Sequence, residues 1–152
     1  MGRTSPSIIG IEQAKLAKVE RRKSKVEKHL KLRPQHYQLE VWQEAMQLVR
    51  QVYCLSDQLP DKERFGLQAQ IRSASVSVPS NIAEGSARGS AKEFVRFLQI
   101  ARGSLMELDT QLWLCQNLGY IDYDDDLKEN LARLFAKLNA LIRSKKSKVG
   151  EP

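Results

Sequence analysis

The chain has 152 residues, 41% of them hydrophobic, which suits one soluble globular domain with a core of its own. No apolar run approaches the roughly 20 residues of a membrane-spanning helix, and Ile8–Ile9 is too short for the core of a signal peptide, so we expect a cytoplasmic protein. The net charge is +7, and residues 1–35 hold all of it, with ten Lys or Arg and three Glu; residues 36–152 hold fifteen basic and fifteen acidic residues.

The positive charge marks an N-terminal extension, which we place at residues 1–36 because Pro34 disfavours helix at the residue before it. Between Ile11 and Leu32 the extension has no Gly or Pro, but its apolar stripe is thin. An isolated helix of this length is marginal in water. We therefore expect a partly helical or disordered segment that orders when a partner docks on it.

Three kinds of partner suit this basic segment: the phosphates of nucleic acid, an anionic membrane surface and an acidic protein surface. The membrane suits it least, because the stripe has no Trp or Phe. A solubilising tail with no role of its own is the alternative. The candidate nucleic-acid contacts are Lys15, Lys18, Arg21, Arg22, Lys23, Lys25, Lys28, Lys31 and Arg33.

Four helices are predicted downstream, in a bundle at residues 37–147 followed by a tail at 148–152. Their ranges are about 38–58, 61–87, 90–118 and 124–145. In the first helix, apolar residues from Val41 to Leu59 alternate at spacings of four and three, which is a heptad seam. Pro60 ends this helix, and Asp61 is placed to cap the second.

The second helix contains the least expected stretch of the chain, Val78–Gly85. Proline lacks an amide hydrogen and clashes with the carbonyl four residues back, so a helix through Pro79 should kink at a cost of about 3 kcal/mol. A loop between two helices is the alternative. The apolar row nevertheless continues in register through Val78 and Ile82, which favours a helix.

Polar and small residues around this stretch suggest an architectural or assembly role at a close helix or subunit contact. Glu84 with Arg88 or Arg102 could form a buried ion pair that fixes helix register. The residues of this motif are Pro79, Ser80, Asn81, Glu84, Gly85, Arg88, Arg102, Gly103, Ser104 and Glu107.

The third helix begins at a capping box, Ser90–Glu93, and keeps the four-three alternation from Phe94 to Cys115. Gly119 is a C-terminal stop, and aspartates before residue 127 cap the fourth helix. Because short connections favour antiparallel neighbours, the predicted fold is all-α: an up-down-up-down, left-handed antiparallel four-helix bundle.

Several motifs resemble one family over about Gln38–Lys146. They are the stretch at Pro79–Gly85, Ile100–Leu108, Leu39-Glu40-Val41-Trp42, Leu67-x-x-Gln70-Ile71-Arg72 and Leu118-Gly119-Tyr120-Ile121. Together they resemble the four-helix bundle S23 family, the proteins of intervening sequences in bacterial 23S ribosomal RNA genes.

The resemblance implies a ring-like homo-oligomer, a pentamer, with RNA or DNA binding suspected in the family. The family is also similar to the accessory proteins of diversity-generating retroelements, which work with a reverse transcriptase, so that enzyme is a further candidate partner. The long basic extension departs from the family pattern. The zero net charge of the bundle disfavours nucleic-acid binding by the bundle itself.

An enzyme is disfavoured, because the only histidines, His29 and His36, lie in or beside the extension, leaving the bundle without a Ser-His, Cys-His or Glu-x-x-His arrangement. Cys54 and Cys115 lie in apolar helical patterns without CxxC spacing, which predicts buried, reduced thiols. We expect no catalytic, metal or cofactor-binding residue. The predicted function is an oligomeric adaptor that binds RNA through the extension; the alternative is an assembly or protein-interaction module without a nucleic-acid role.

Overall fold

The computed structural model describes residues 17, 20–21 and 34–150. The chain divides into two compact units, Met1–Pro34 and Gln35–Pro152. Within the first unit, residues 17, 20 and 21 are helical and Pro34 is not. The second unit holds four α-helices with a short 3-10 helix before the first and another after it. The α-helices are α1 Glu40–Ser56, α2 Leu67–Ala87, α3 Ala91–Asn117 and α4 Asp125–Val149, and the 3-10 helices are Gln35–Gln38 and Asp61–Glu63.

The four helices form a bundle, as predicted. Helix α1 packs against α2 and α4, and α3 packs against the same two helices. No β-strand occurs among the described residues, and none of their helices is long and apolar enough to cross a membrane.

Side-chain contacts between α1 and α4 show that these helices are antiparallel. At one end of the contact between these helices, Lys137 in the middle of α4 donates to Glu40 and Glu44 at the start of α1, and these carboxylates raise the pKa of the Lys137 amine. At the other end, Gln51 of α1 donates to Asp126 in the first turn of α4 at 2.9 Å. One end of the bundle therefore holds the start of α1 and α3 and the end of α2 and α4.

The predicted seams form the core. All seven seam residues of α3 are buried: Phe94, Leu98, Ala101, Leu105, Leu108, Leu112 and Cys115. Full burial of a large apolar side chain contributes about 2 kcal/mol, so these rows supply most of the hydrophobic stabilisation. In the last turns of α4, Ile142 is buried and Leu141 only half-buried. A straight helix of 3.6 residues per turn drifts away from a strict heptad, which moves the core position by one residue.

Helix α2 begins at Leu67, six residues later than predicted, and Asp61 does not cap it. Asp61 instead begins a 3-10 turn, and the Glu63 carboxylate accepts a hydrogen bond from the Leu67 amide at 3.1 Å. Helix α4 runs four residues further than predicted, to Val149. It ends where Gly150 takes a left-handed backbone conformation, with φ of +74°.

The predicted helix caps of α3 and α4 are present. The Ser90 hydroxyl accepts from the Glu93 amide at 3.5 Å, and the Asp124 carboxylate accepts from the Leu127 amide at 3.0 Å. Each acceptor satisfies an amide that has no partner within its own helix.

The two cysteines differ, and the prediction of two buried thiols is wrong for Cys54. Cys115 is buried in the core, and burial raises the pKa of its thiol. Cys54 is exposed, because it lies on the side of α1 opposite the seam that contains Val52 and Leu55.

Candidate functional site between helices α2 and α3

Helix α2 passes through Pro79 without interruption, so the helix interpretation of Val78–Gly85 is confirmed and the loop alternative is wrong. Ile71, Val78 and Ile82 are fully buried, and Pro79 is buried beside them. Continuous burial of the apolar row compensates for the backbone hydrogen bond that proline cannot donate.

A chain of hydrogen bonds joins the middle of α2 to α3. The Ser104 hydroxyl donates to the Ile100 carbonyl at 3.2 Å, so the Ser77 hydroxyl, 2.8 Å away, donates to Ser104. Ser77 in turn accepts from the Asn81 amide at 3.0 Å, and the same amide nitrogen reaches the Ser77 carbonyl at 2.8 Å. Asn81 and Ser104 thus belong to one partly buried network that fixes the register of α2 against α3.

Gly85 allows a close approach of α2 to α3. A Cβ atom at this position would lie 2.5 Å from Cβ of Phe97 and 3.0 Å from the Phe94 ring. Because the Phe97 Cβ is held by the backbone of α3, the neighbouring helix cannot accommodate a larger residue without moving. Gly85 therefore sets the spacing of the two helices.

Glu84 forms an ion pair, as predicted, but the pair is not buried. Glu84 pairs with Arg88 one turn further along α2, and both side chains are about half exposed. Arg102 lies on another side of α3 and donates to Asn139 of α4 at 2.9 Å. The sequence could not distinguish these arrangements, because Arg88 and Arg102 were both within plausible reach of Glu84.

The remaining motif residues face outward. The Ser80 hydroxyl donates to the Val76 carbonyl of its own helix at 2.8 Å, and Glu107 accepts from Gln111 at 3.0 Å. Gly103 is exposed, and no atom lies within 4 Å of a Cβ built on it. These residues leave an open surface on the outer side of the α2–α3 pair.

Sequence reasoning missed a set of exposed apolar side chains, which we call the α3 outer face: Ile100, Met106, Trp113, Leu114 and Leu118. They lie in two rows, one with Met106 and Trp113 seven residues apart, the other with Ile100 and Leu114 fourteen apart. Gly103 lies between the rows. Trp113, with 59% of its surface exposed, is the largest of them.

Sequence reasoning also missed how the charges of the bundle are distributed. The end at which α2 finishes carries a cluster that we call the basic end: Arg88, Lys92, Arg96, Arg143, Lys145, Lys146 and Lys148. The opposite end carries the acidic end: Asp57, Asp61, Glu63, Asp122, Asp124, Asp125 and Asp126. Assigning each predicted helix terminus to an end of the antiparallel bundle could have revealed this separation.

Of the nine predicted nucleic-acid contacts, the structure describes Arg21, which is helical and exposed. The other eight lie outside the described residues, and for them the sequence prediction stands as made. Arg21 is thus the one member of this set whose placement can be stated.

The sequence model of a family described as 23S rRNA-intervening sequence protein matches residues 37–143. The chain belongs to this family. The match spans all of α1, α2 and α3 and most of α4, and thus the whole α2–α3 motif. The extension and the cations after Arg143 lie outside the residues that match the 23S rRNA-intervening sequence protein family. No curated protein matches the chain.

We predict different roles for two polar residues of the motif. Asn81→Ala removes two hydrogen bonds worth about 1 kcal/mol each, while the better helix propensity of Ala returns about 0.6 kcal/mol, so the free energy of unfolding falls by about 1 kcal/mol. Glu84→Ala removes an exposed pair and changes this free energy by less than about 0.5 kcal/mol.

Urea unfolding followed by circular dichroism measures both free energies. Equal effects of the two substitutions would mean that the hydrogen-bond network centred on Ser77 does not stabilise the bundle.

Proposed function

We propose that the chain is a non-enzymatic, homo-oligomeric adaptor that binds RNA through its basic extension, while the bundle sets the number of subunits. The observation that carries this proposal is the separation of charge: residues 1–35 hold a net charge of +7, and residues 36–152 hold none. The folding of the bundle does not require this excess of positive charge on residues 1–35. Phosphate groups are the ligand that matches it.

Assembly strengthens the binding in this proposal. One extension carries ten Lys or Arg, a number that supports weak, salt-sensitive binding to phosphates. Several extensions gathered by one oligomer act at high effective concentration, so their combined affinity exceeds that of one by orders of magnitude. A ring is the assembly that the family resemblance implies, with five subunits as its implied number.

The α3 outer face is the surface that we propose for subunit contact. It presents apolar side chains on one helix, and Trp is the residue most enriched in the energetic centres of protein interfaces. The exposed Gly103 between its rows leaves room for the backbone of another subunit. A closed ring forms when one such surface meets a different surface of the next subunit at a rotation that closes.

A second candidate is an assembly module without a nucleic-acid role. The apolar α3 outer face favours it, because that surface accounts for assembly and requires no ligand. The two candidates differ in what the extension does, so RNA binding distinguishes them and oligomer mass does not.

Charge removal from the extension tests the proposal. In the full chain, Lys18→Gln, Lys25→Gln and Lys28→Gln together should weaken binding to a hairpin RNA by about 10- to 100-fold near physiological salt. The slope of log affinity against log salt should become shallower by about 2 to 3. Fluorescence anisotropy titrations at several salt concentrations measure both quantities.

The matched control is Lys62→Gln, Arg64→Gln and Lys128→Gln, which removes three exposed charges at the acidic end. We expect this control to bind with nearly the wild-type salt slope. If the extension variant bound as tightly as the control and with the same slope, the adaptor function would be rejected in favour of the assembly module.

A further inference from the structure

The bundle has no net charge, yet it is strongly polarised from one end to the other. The final turns of α2, the first turns of α3 and the end of α4 hold the seven cations of the basic end and two carboxylates, Glu84 and Glu93, a net of +5. The start of α1 adds Glu40 and Glu44, which pair with Lys137, so the net charge of this end is +4. The segments 57–66 and 118–128 hold the seven carboxylates of the acidic end and three cations, a net of −4. Overall neutrality therefore conceals two opposite electrostatic surfaces.

Aromatic rings organise part of the basic end. The guanidinium groups of Arg88 and Arg96 lie 5.1 and 5.4 Å from the centre of the Phe97 ring. The Lys145 amine lies 5.5 Å from the centre of the Phe94 ring. Gly85 packs against both rings, so the close α2–α3 contact holds cations from three helices at one end of the bundle.

Three cations of the basic end have no carboxylate partner in the described part of the chain. Glu84 and Glu93 are engaged by Arg88 and Arg96. Arg143, Lys146 and Lys148 form no ion pair with any residue in the described part of the chain, and Arg143 and Lys148 are exposed. Their charges are available to an anionic ligand.

We propose that the basic end is a second phosphate-contacting surface, so that the bundle itself binds the backbone of the RNA. This inference rests on the proposed RNA-binding function and adds to it a site separate from the extension. The occupant is nucleic acid and not a membrane surface, because no large hydrophobic side chain is exposed in residues 84–99 and 142–148, the segments that carry the basic end. The exposed large hydrophobic side chains of the described residues lie elsewhere, from Ile100 to Leu118 and at Tyr53, Phe65 and Val76.

The position of the basic end suits this role. Gln35, which begins the bundle unit, leads into the start of α1, and this start lies at the same end as the basic cluster. In any cyclic assembly, equivalent ends of all subunits lie at the same level along the symmetry axis. With the bundle axes along the symmetry axis, one face of such a ring would be basic and the other acidic. Backbone recognition of this kind carries little sequence information, so binding should depend weakly on RNA sequence.

The test is a second triple variant of the full chain, Arg143→Gln, Lys146→Gln and Lys148→Gln. It removes the same number of charges as the extension variant and as the acidic-end control described above. Three lost phosphate contacts should make the salt slope for hairpin RNA shallower by about 2 to 3 and weaken binding by about 10-fold or more at physiological salt. A wild-type melting temperature shows that the variant is folded, since all three side chains lie outside the core.

The outcomes separate this inference from the proposed function. Wild-type RNA binding and salt slope in the basic-end variant, with a loss in the extension variant, would overturn the inference and leave the proposed function intact. A loss in the basic-end variant alone would support the inference and reject the extension as the binding segment. Equal losses in the basic-end variant and the acidic-end control would show that only net charge matters and overturn the inference. Loss of binding to anionic phospholipid vesicles with unchanged RNA binding would also overturn it.

Discussion

We expect Trp113→Glu to convert the proposed oligomer into monomers and to weaken the proposed RNA binding by about 100- to 10,000-fold. The substitution places a carboxylate in the middle of the α3 outer face, where the proposed subunit contact excludes water. An unpaired charge in such an interface costs several kcal/mol, and a ring repeats that cost at every contact. RNA affinity should fall when the proposed oligomer dissociates, because each monomer retains a single extension.

Light scattering coupled to size-exclusion chromatography measures the mass, and anisotropy titration with the hairpin RNA measures the affinity. Phe65→Glu is the matched control, because it also replaces an exposed aromatic residue by a carboxylate. Phe65 is 90% exposed and lies outside the α3 outer face. An unchanged mass for Trp113→Glu, or an equal loss of mass for Phe65→Glu, would contradict the assignment of this face to assembly.

Gly85→Ala lowers the free energy of unfolding by about 1 to 2 kcal/mol, although replacing Gly by Ala within a helix normally stabilises it by up to about 1 kcal/mol. The sign reverses because the new methyl group would overlap Cβ of Phe97, 2.5 Å away. Overpacking of this kind costs about 1 to 3 kcal/mol, which exceeds the gain in helix propensity.

Gly103→Ala provides the matched control within α3. No atom lies within 4 Å of the added Cβ, so this substitution should stabilise the bundle by about 1 kcal/mol. Both changes are made in the Trp113→Glu background so that subunit contacts influence neither, and urea unfolding measures them. If Gly85→Ala proved as stabilising as Gly103→Ala, the close α2–α3 contact would be wrong.

Much of the fold could be predicted from the sequence, because hydrophobic periodicity and capping are local. The rows from Val41 and from Phe94 identified helices whose buried sides agree with the structure. The uninterrupted row through Val78 and Ile82 was sufficient to place Pro79 within a helix. Ser90 and Asp124 identified two helix starts, since a cap is decided by residues within one turn.

Less of the candidate site could be predicted, because its contacts join residues that are distant in sequence. Asn81 reaches Ser104 only through Ser77, whose role in the network has no local signature. Glu84 pairs with Arg88 and not with Arg102, because the packing of α3 against α4 places Arg102 beside Asn139.

The sequence by itself determined that this chain forms four amphipathic helices and that its net charge lies in the first 35 residues, because periodicity and charge are properties of position along the chain. Only the tertiary structure decided how close α2 and α3 come at Gly85 and which apolar residues of α3 remain uncovered. The antiparallel packing brings the cations of α2, α3 and α4 to one end. That arrangement turns a domain of zero net charge into one with a basic surface.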